Sequence, residues 1–183
     1  LGFFTVFMMV YDFETAAYQT KIGDISMPIR TKYGYHIIKV NEKRDAVGKI
    51  KVAHIMFKTG KGADKKKIDE AYDNINRIMQ LLNNGEDFAD IAERFSEDRS
   101  TAVKGGDLPI FGVGKMVPEF ESAAFSIENI GDFSDPFLTD YGWHIIKLIE
   151  KIPVAEFHDI EADLKRMIAK DSRSELSQKA LFE

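Results

Sequence analysis

Two segments of this chain of 183 residues are identical at six of seven positions: residues 33–39 read YGYHIIK, and residues 141–147 read YGWHIIK. The match extends backwards, so that residues 1–40 align with residues 108–148 once a single residue is inserted in the second copy. Of the 40 aligned positions, 21 are identical. The shared residues are chemically mixed rather than low in complexity, so the repeat indicates two related domains.

The two copies are not equally complete. Residues 49–107 precede the second copy, and nothing comparable precedes the first. The first copy therefore corresponds to the C-terminal half of a domain, and we expect the chain to be a piece of a longer protein. The predicted division is a half-domain over residues 1–43, a linker over 44–49, a complete domain over 50–152 and a helical tail over 153–183.

Hydrophobic periodicity predicts the elements of the complete domain. Residues 50–57 alternate and are rich in β-formers, which favours a strand. Apolar residues recur at helical spacing over 68–82, and Asp87 and Pro118 are typical of the first positions of two further helices. With three more short strands, the predicted order is β-α-α-β-α-β-β. This order is typical of an α+β domain with a small, mostly antiparallel sheet.

The tail after residue 153 has a different pattern. Its apolar residues at helical spacing predict an amphipathic helix, whose apolar face needs a partner. The residues of that face are Phe157, Ile160, Leu164, Met167 and Ile168, continued by Leu176, Ala180 and Leu181.

Composition excludes several classes of function. The net charge of −5 argues against general nucleic-acid binding, which needs a basic surface. No run of about 18 apolar residues is present, so no membrane span is expected. The chain has no cysteine, which excludes disulfides, zinc–thiolate sites and a cysteine nucleophile.

Several motifs of the complete domain together resemble the parvulin family of peptidyl-prolyl cis/trans isomerases. They are AHIMF at 53–57, FADIAERFSED at 88–98, KGGDLPIF at 104–111 and GWHIIKL at 142–148. The resemblance covers residues 50–152 fully and 1–43 as a truncated copy. It implies a parvulin-like four-stranded, mostly antiparallel sheet with surrounding helices, here preceded by the truncated copy and followed by the helical tail.

The resemblance also implies an activity. It points to isomerisation of X-Pro bonds in unfolded or extracytoplasmic client proteins, without a cofactor or a metal. Two such domains in tandem with a helical tail resemble periplasmic chaperone-isomerases. The implied partners are unfolded or proline-containing segments, and the implied location is the periplasm or cell envelope.

The family's catalytic positions carry over onto three polar residues. His54 lies on the first strand, His144 on the last strand, and Asp98 stands where some parvulins have cysteine. We expect the two histidines to hydrogen-bond to each other and to orient Asp98, so that the trio tunes the floor of a pocket electrostatically. A covalent role for Asp98 is not needed, because isomerisation breaks no bond.

The remaining positions form the substrate site that the resemblance implies. Leu108, Met116 and Phe120 match the proline pocket, and Thr139 matches a hydroxyl residue near the final strand. Tyr141 stands where phosphate-selective members often have serine, and the long basic loop of those members is missing. We therefore do not expect selectivity for phosphorylated substrates.

Each of these residues also has a structural interpretation. His54 and His144 can be core histidines that only hold the floor, and Asp98 can be a turn residue of a polar loop. Met116 and Phe120 are four residues apart, which is common in any helix core. Two histidines so far apart in sequence, in a chain without cysteine, make a poor case for a metal site.

Two functions therefore remain open: an isomerase, or a non-catalytic peptide-binding chaperone module that uses the same groove. In the half-domain, Met9, Phe13 and His36 match Met116, Phe120 and His144. This half lacks the first strand of the complete domain, so we expect an inactive site and an exposed sheet edge. Two outcomes are predicted for it. One is pairing as a homodimer or by swapping, through this half or the tail, and the other is a half-domain that packs poorly and is partly mobile.

Overall fold

The computed structural model describes residues 1–171, 173 and 174, which form an α+β structure of two compact units. The first unit is residues 47–153 together with residues 1–2. The second contains residues 3–46 and the described part of the tail, which begins at residue 154. No helix in the described part of the chain is both long enough and apolar enough to cross a membrane. The predicted continuation of the tail helix through Leu176, Ala180 and Leu181 lies outside the described residues.

The first unit contains a four-stranded antiparallel sheet in the order β4-β3-β6-β5, which confirms the predicted α+β class. Its central strands β3 and β6 pair along their whole length, with Ile55 opposite Ile145. The elements are β3 (Lys49–Lys58), α2 (Lys65–Asn83), α3 (Phe88–Phe95), α4 (Arg99–Ala102), β4 (Phe111–Gly112), α5 (Pro118–Ser126), β5 (Phe137–Thr139) and β6 (Gly142–Ile152).

Local sequence signals begin the helices of this unit. The side chain of Asp64 accepts a hydrogen bond from the backbone N–H of Lys67 and caps α2. Asp87 caps α3 in the same way, and Pro118 is the first residue of α5, where its missing N–H costs little. The helix α4 was not expected, because residues 96–107 read as a polar loop. Asp98 is its N-cap, which is a structural role at the start of this short helix.

The sheet separates two apolar layers. On one face α2 and α3 cover Ile55, Phe57 and Ile145, and on the other face α5 covers Val52 and Ile146. The sequence of residues 108–114 favours a strand, whereas in the structure only Phe111–Gly112 form β4, which pairs with the first two residues of β3.

The second unit contains a short helix, a hairpin and the tail helix. The hairpin is antiparallel, with Ile29 opposite His36, and it forms a two-stranded sheet by itself in the described part of the chain. Near the end of the tail, the guanidinium of Arg173 donates to the buried carboxylate of Glu14 at 2.8 Å. The elements are α1 (Tyr11–Gln19), β1 (Ile29–Thr31), β2 (Gly34–His36) and α6 (Phe157–Lys170).

Candidate active site

The two histidines are brought together by the register of the central strands. His54 on β3 is opposite Ile146, and His144 on β6 is opposite Met56. Opposed residues and residues two apart share a face of an antiparallel sheet, so both rings lie on the face that α5 covers. Both side chains are buried, and the ring centroids are 5.8 Å apart with planes 19° from parallel.

On one side of the pair, His54 contacts the start of α4. Its Nε2 lies 2.9 Å from Oδ2 of Asp98 and 3.0 Å from Oγ1 of Thr101. The hydroxyl of Thr101 also donates to Oδ2 of Asp98 at 2.8 Å. Because an ionised carboxylate only accepts, Nε2 of His54 carries the proton and donates it to Asp98. His54, Asp98 and Thr101 thus form one hydrogen-bonded group at the start of α4.

Sequence reasoning missed Thr101. It lies three residues after the cap Asp98, and a hydroxyl at that spacing in the first turn of a helix can reach the cap's side chain. The signal was present, but it became usable only once α4 was recognised as a helix.

On the other side of the pair, His144 contacts the β5–β6 turn. Its Nε2 lies 2.9 Å from Oγ1 of Thr139, which also accepts the backbone N–H of Tyr141 at 3.1 Å. Thr139 is buried, whereas the side chain of Tyr141 is 61% exposed. The structure therefore brings Thr139 into the histidine group and leaves the ring of Tyr141 at the surface.

The expected hydrogen bond between the two histidines is wrong. Within the described residues, Nδ1 of His54 and Nδ1 of His144 are buried and have no hydrogen-bond partner. The reason is that each Nε2 is held by its own side of the site, His54 by Asp98 and His144 by Thr139. These separate partners fix the orientation of each ring.

Burial sets the protonation of the site. Burial lowers the pKa of His54, although its hydrogen bond to Asp98 and the charge of that carboxylate oppose the shift. Burial and then the neighbouring His54 lower the pKa of His144 to about 3. Burial would raise the pKa of Asp98, but hydrogen bonds from Ser100, Thr101 and His54 outweigh it and lower that pKa to about 2. At neutral pH the site holds two neutral imidazoles and one carboxylate.

Aromatic rings form the wall beside this polar group. Phe120 on α5 lies edge-on to both imidazoles, with ring centroids 5.9 Å from His54 and 5.6 Å from His144. Phe137 on β5 lies nearly parallel to His144 at 5.4 Å and was not predicted as a site residue. Leu108 and Met116 are half-buried against the same apolar cluster. Phe120 therefore joins the imidazole pair to the predicted proline pocket.

A buried carboxylate fixes the segment that carries Met116. Oε1 of Glu121 accepts the backbone N–H groups of Lys115 and Met116 at 2.7 and 3.0 Å. Sequence reasoning missed Glu121, although Glu14 occupies the matching position of the first copy. Glu14 likewise accepts a backbone N–H, that of Phe7, at 2.8 Å.

The half-domain repeats part of this geometry. His36 lies 2.7 Å from Oγ1 of Thr31, and Phe13 lies edge-on to its ring at 5.5 Å. The hydroxyl, the imidazole and the aromatic wall are therefore present. This half contains no residue aligned with His54 or Asp98, since those precede the repeated segment.

A separate cavity lies away from these residues. Its lining includes Ala53, Phe88 and Ile149 of the layer that α2 and α3 cover. Its charged members are Asp87, Asp107 and Lys147. None of the predicted site residues lines it, so it plays no part in the site described above.

Comparison with known proteins gives the family. The model of the rotamase family, described as the PPIC-type PPIase domain, matches residues 1–42 and 54–150. A chaperone SurA of Nitrosococcus oceani is 33% identical over 138 residues, which are 73% of this chain and 32% of that protein. A foldase protein PrsA of Geobacillus kaustophilus is 38% identical over 142 residues, 74% of this chain and 46% of that protein. The chain thus spans about a third to a half of the length of these relatives.

A solved structure agrees with the sequence comparison. The crystal structure of peptidylprolyl isomerase PrsA from Bacillus cereus aligns with a TM-score of 0.52 and 36% identity, over 68% of this chain and 43% of that one. A PpiC-type isomerase domain at 24% identity aligns with a TM-score of 0.54 over 61% of this chain and 97% of that one, which shows the fold alone. The chain belongs to the rotamase family of PpiC-type peptidyl-prolyl cis/trans isomerase domains.

Proposed function

We propose that residues 50–152 catalyse cis/trans isomerisation of X-Pro bonds in unfolded or extracytoplasmic client proteins. The observation that carries this proposal is the contact of Phe120 with both His54 and His144, because it places an apolar wall directly on a buried polar group. In this proposal the complete domain is the catalytic one, and residues 1–43 are an inactive half-domain.

The physical task of such a site is to favour a twisted amide. Rotation about an X-Pro bond has a barrier of roughly 18–20 kcal/mol and takes tens to hundreds of seconds unaided. The planar amide is polarised, with negative charge on its oxygen, and the twisted amide has lost that resonance. A catalyst must bind the twisted state more tightly than either planar state.

The proposed roles follow from this requirement. Leu108, Met116 and Phe120 hold the proline ring, and the unbranched Met116 adapts to its shape. Dry apolar surroundings favour the less polar twisted amide. His54 and His144 remain neutral because their pKa values are lowered, so no imidazolium stabilises the polarised planar amide.

The other polar residues position this floor. Asp98 and Thr101 hold the ring of His54, and Thr139 holds the ring of His144. We assign no covalent step to Asp98. Tyr141, exposed beside Thr139, is proposed to contact the client chain at the rim of the pocket.

A proline-peptide assay without a coupling protease tests the proposal. The chain should accelerate cis/trans exchange above the buffer rate, and Asp98→Ala and Met116→Ala should each lower kcat/KM by about tenfold or more, the cost of losing a positioning contact. Asp73→Ala on the exposed face of α2 and Met27→Ala, at an exposed methionine of the inactive half-domain, are matched controls and should leave the rate unchanged.

The outcomes separate the two functions. A wild-type chain that binds unfolded protein but shows no rate above buffer would establish the non-catalytic chaperone module. Active variants at both Asp98 and Met116 would show that the pocket is wrongly assigned.

We further propose the setting in which the domain works. Relatives named as a chaperone and as foldases support unfolded polypeptide as the client and a place in the periplasm or cell envelope. The open edge of the half-domain and the amphipathic helix α6 are proposed as surfaces for pairing with further polypeptide, of which a homodimer or a swapped pair is one form.

A further inference from the structure

One buried acid of the complete domain stands outside the polar group around the histidines. Glu121 lies in the first turn of α5, next to Phe120, and is 6% exposed. Its Oε1 accepts the backbone N–H groups of Lys115 and Met116 at 2.7 and 3.0 Å. Burying a carboxylate is costly unless hydrogen bonds replace its hydration, so these bonds hold the carboxylate and the turn to each other.

The turn before α5 suits a negatively charged partner. Two successive N–H groups converge on a single oxygen, an arrangement that favours an anion. The positive end of the α5 dipole favours it as well, because Glu121 is the fourth residue of the helix. Hydrogen bonds to an ionised acceptor are shorter and stronger than neutral ones. The turn over residues 114–117 is therefore fastened to the helix that follows it.

This contact connects two walls of the proposed proline pocket. Phe120, on α5, lies edge-on to both imidazoles. Met116 lies on the turn, two residues before α5, and is half-buried in the same apolar cluster. An unbranched methionine has three rotatable bonds, so the place of its side chain depends on where its backbone is held. By bonding that backbone, Glu121 sets where Met116 stands relative to Phe120.

The first copy uses the matching acid differently. Glu14 accepts the backbone N–H of Phe7 at 2.8 Å, and it also accepts the guanidinium of Arg173 at 2.8 Å. In the part of the chain that the structure describes, Glu121 has no ion pair, and its hydrogen-bond partners are the two N–H groups of the turn. The acid of the complete domain is thus devoted to the segment that carries Met116.

We propose that Glu121 is a positioning residue for isomerisation, which acts on the substrate through Met116 without touching it. By fastening the turn to α5, its carboxylate fixes the gap between Met116 and Phe120 in which the proline ring lies. This inference rests on the proposed function, because it assigns a task within the pocket named there. A misplacement of about 1 Å can lower a rate by about 100-fold, so a contact outside the pocket floor still matters.

Variants of Glu121 separate reach from charge. Glu121→Gln keeps an oxygen at the same distance from both N–H groups and should retain kcat/KM for a proline peptide within about threefold. Glu121→Ala removes the acceptor, and Glu121→Asp keeps the charge but is one carbon shorter. Each should lower kcat/KM by about tenfold or more. Glu119→Ala, exposed on the same turn of α5, and Glu14→Ala in the half-domain are matched controls and should leave the rate unchanged.

A double-mutant cycle shows whether the effect passes through Met116. In the Met116→Ala background, Glu121→Ala should lower kcat/KM by less than about twofold, because the side chain that it positions is gone. A role in stability alone would instead multiply the two losses.

Hydrogen exchange gives a readout that needs no activity. The amides of Lys115 and Met116 should exchange about tenfold or more faster in Glu121→Ala than in the wild type, because their acceptor is gone. In Glu121→Gln they should exchange at nearly the wild-type rate. Urea unfolding of the same samples checks that each variant is folded.

Three results would overturn the proposal. The first is a wild-type rate in folded Glu121→Ala. The second is a pair of losses that multiply in the double variant. The third is a fully active Glu121→Asp beside a slow Glu121→Gln, which would assign the effect to charge at the start of α5. A wild-type chain without activity would refute the proposed function, whereas unchanged exchange at Lys115 and Met116 in Glu121→Ala would refute the positioning contact alone.

Discussion

The two copies of the repeated segment share their local structure and differ in what lies beside it. In both, a threonine hydroxyl bonds an imidazole across the hairpin, at 2.7 Å for Thr31–His36 and 2.9 Å for Thr139–His144. Only the second copy has β3, and with it Asp98. The hairpin therefore forms from its own sequence, whereas the buried polar site requires the strand beside it.

The turns before α1 and α5 also keep the same backbone conformation in both copies. Gly114 has a φ of +79°, and Phe7 occupies the matching position with a φ of +67°. A positive φ strains the backbone of a bulky residue, whereas glycine adopts it without strain. The turn is preserved even where its residue is unsuited, because the flanking contacts specify it.

The largest expected difference between the copies is at the two glycines. Gly142→Ala places a Cβ against the backbone of β3 at a φ of +148°, so we expect a loss of about 4 kcal/mol in the free energy of unfolding, or no folded domain. Gly34→Ala meets no neighbour within 4 Å among the described residues and should cost about 1 kcal/mol of local strain. Both stability losses can be measured by urea unfolding, with hydrogen exchange as the readout for each unit. Equal losses in the free energy of unfolding would show that contact with β3 is not the reason why glycine is needed at position 142.

The matching isoleucines come next. Ile145→Ala removes a fully buried side chain from the β3–β6 pair and should lower the free energy of unfolding by about 3 kcal/mol. Ile37→Ala, at an exposed position, should change it by less than about 0.5 kcal/mol. Denaturant midpoints from the fluorescence of the single tryptophan, Trp143, report the first unit. A large effect of Ile37→Ala on the second unit would mean that its edge is already covered.

Acid should weaken the complete domain through its histidines. The pKa values of His54 and His144 are lowered in the folded state. Below about pH 6.5 the unfolded state therefore binds more protons than the folded state, and the free energy of unfolding decreases as the pH decreases. We expect a loss of about 2 kcal/mol between pH 6.5 and 4.5. The contribution of Asp98, whose pKa is lowered to about 2, is lost only below about pH 4.

Two variants check the source of that pH dependence. His144→Gln should flatten the fall in unfolding free energy between pH 6.5 and 4.5. His158→Gln, on the exposed surface of α6, should leave it unchanged. A slope that survives His144→Gln in full would assign the loss to other groups.

The smallest expected effect concerns the matching threonines. Thr139→Val leaves Nε2 of His144 buried without its partner and should lower kcat/KM for a proline peptide by about tenfold, the cost of one lost hydrogen bond at a buried group. Thr139→Ser should restore most of the rate. Thr31→Val, in the half-domain, should not change the rate. A slower enzyme after Thr31→Val would show that the half-domain takes part in catalysis.

Much of the fold and of the candidate site could be predicted from the sequence. Asp87 and Pro118 were predicted at helix starts, because the signals that begin a helix act within one turn of the chain. His54, His144, Phe120 and Thr139 were predicted from their motifs, and the structure brings them together. Their proposed roles in binding and catalysis remain predictions.

The errors share a physical cause. The histidine–histidine hydrogen bond was wrong, and Thr101, Glu121 and Phe137 were missed, because side-chain direction and hydrogen-bond partners depend on register and packing. A motif lists residue types but does not say which ring nitrogen faces which oxygen. Asp98 shows this clearly: the sequence left open a catalytic position and a turn residue, and its contacts with His54 and Thr101 became visible only with its place at the start of α4.

By itself the sequence determined the repeat, the hydrophobic periods, the caps and the set of chemically able residues, because these depend on neighbours a few positions away. Only the tertiary structure decided which imidazole is held by Asp98 and which by Thr139, and it left one of two near-identical hairpins with an open edge. The difference between the two hairpins is the presence of β3 beside β6. Pairing of these strands joins residues about 90 positions apart, and the site is buried only once they meet.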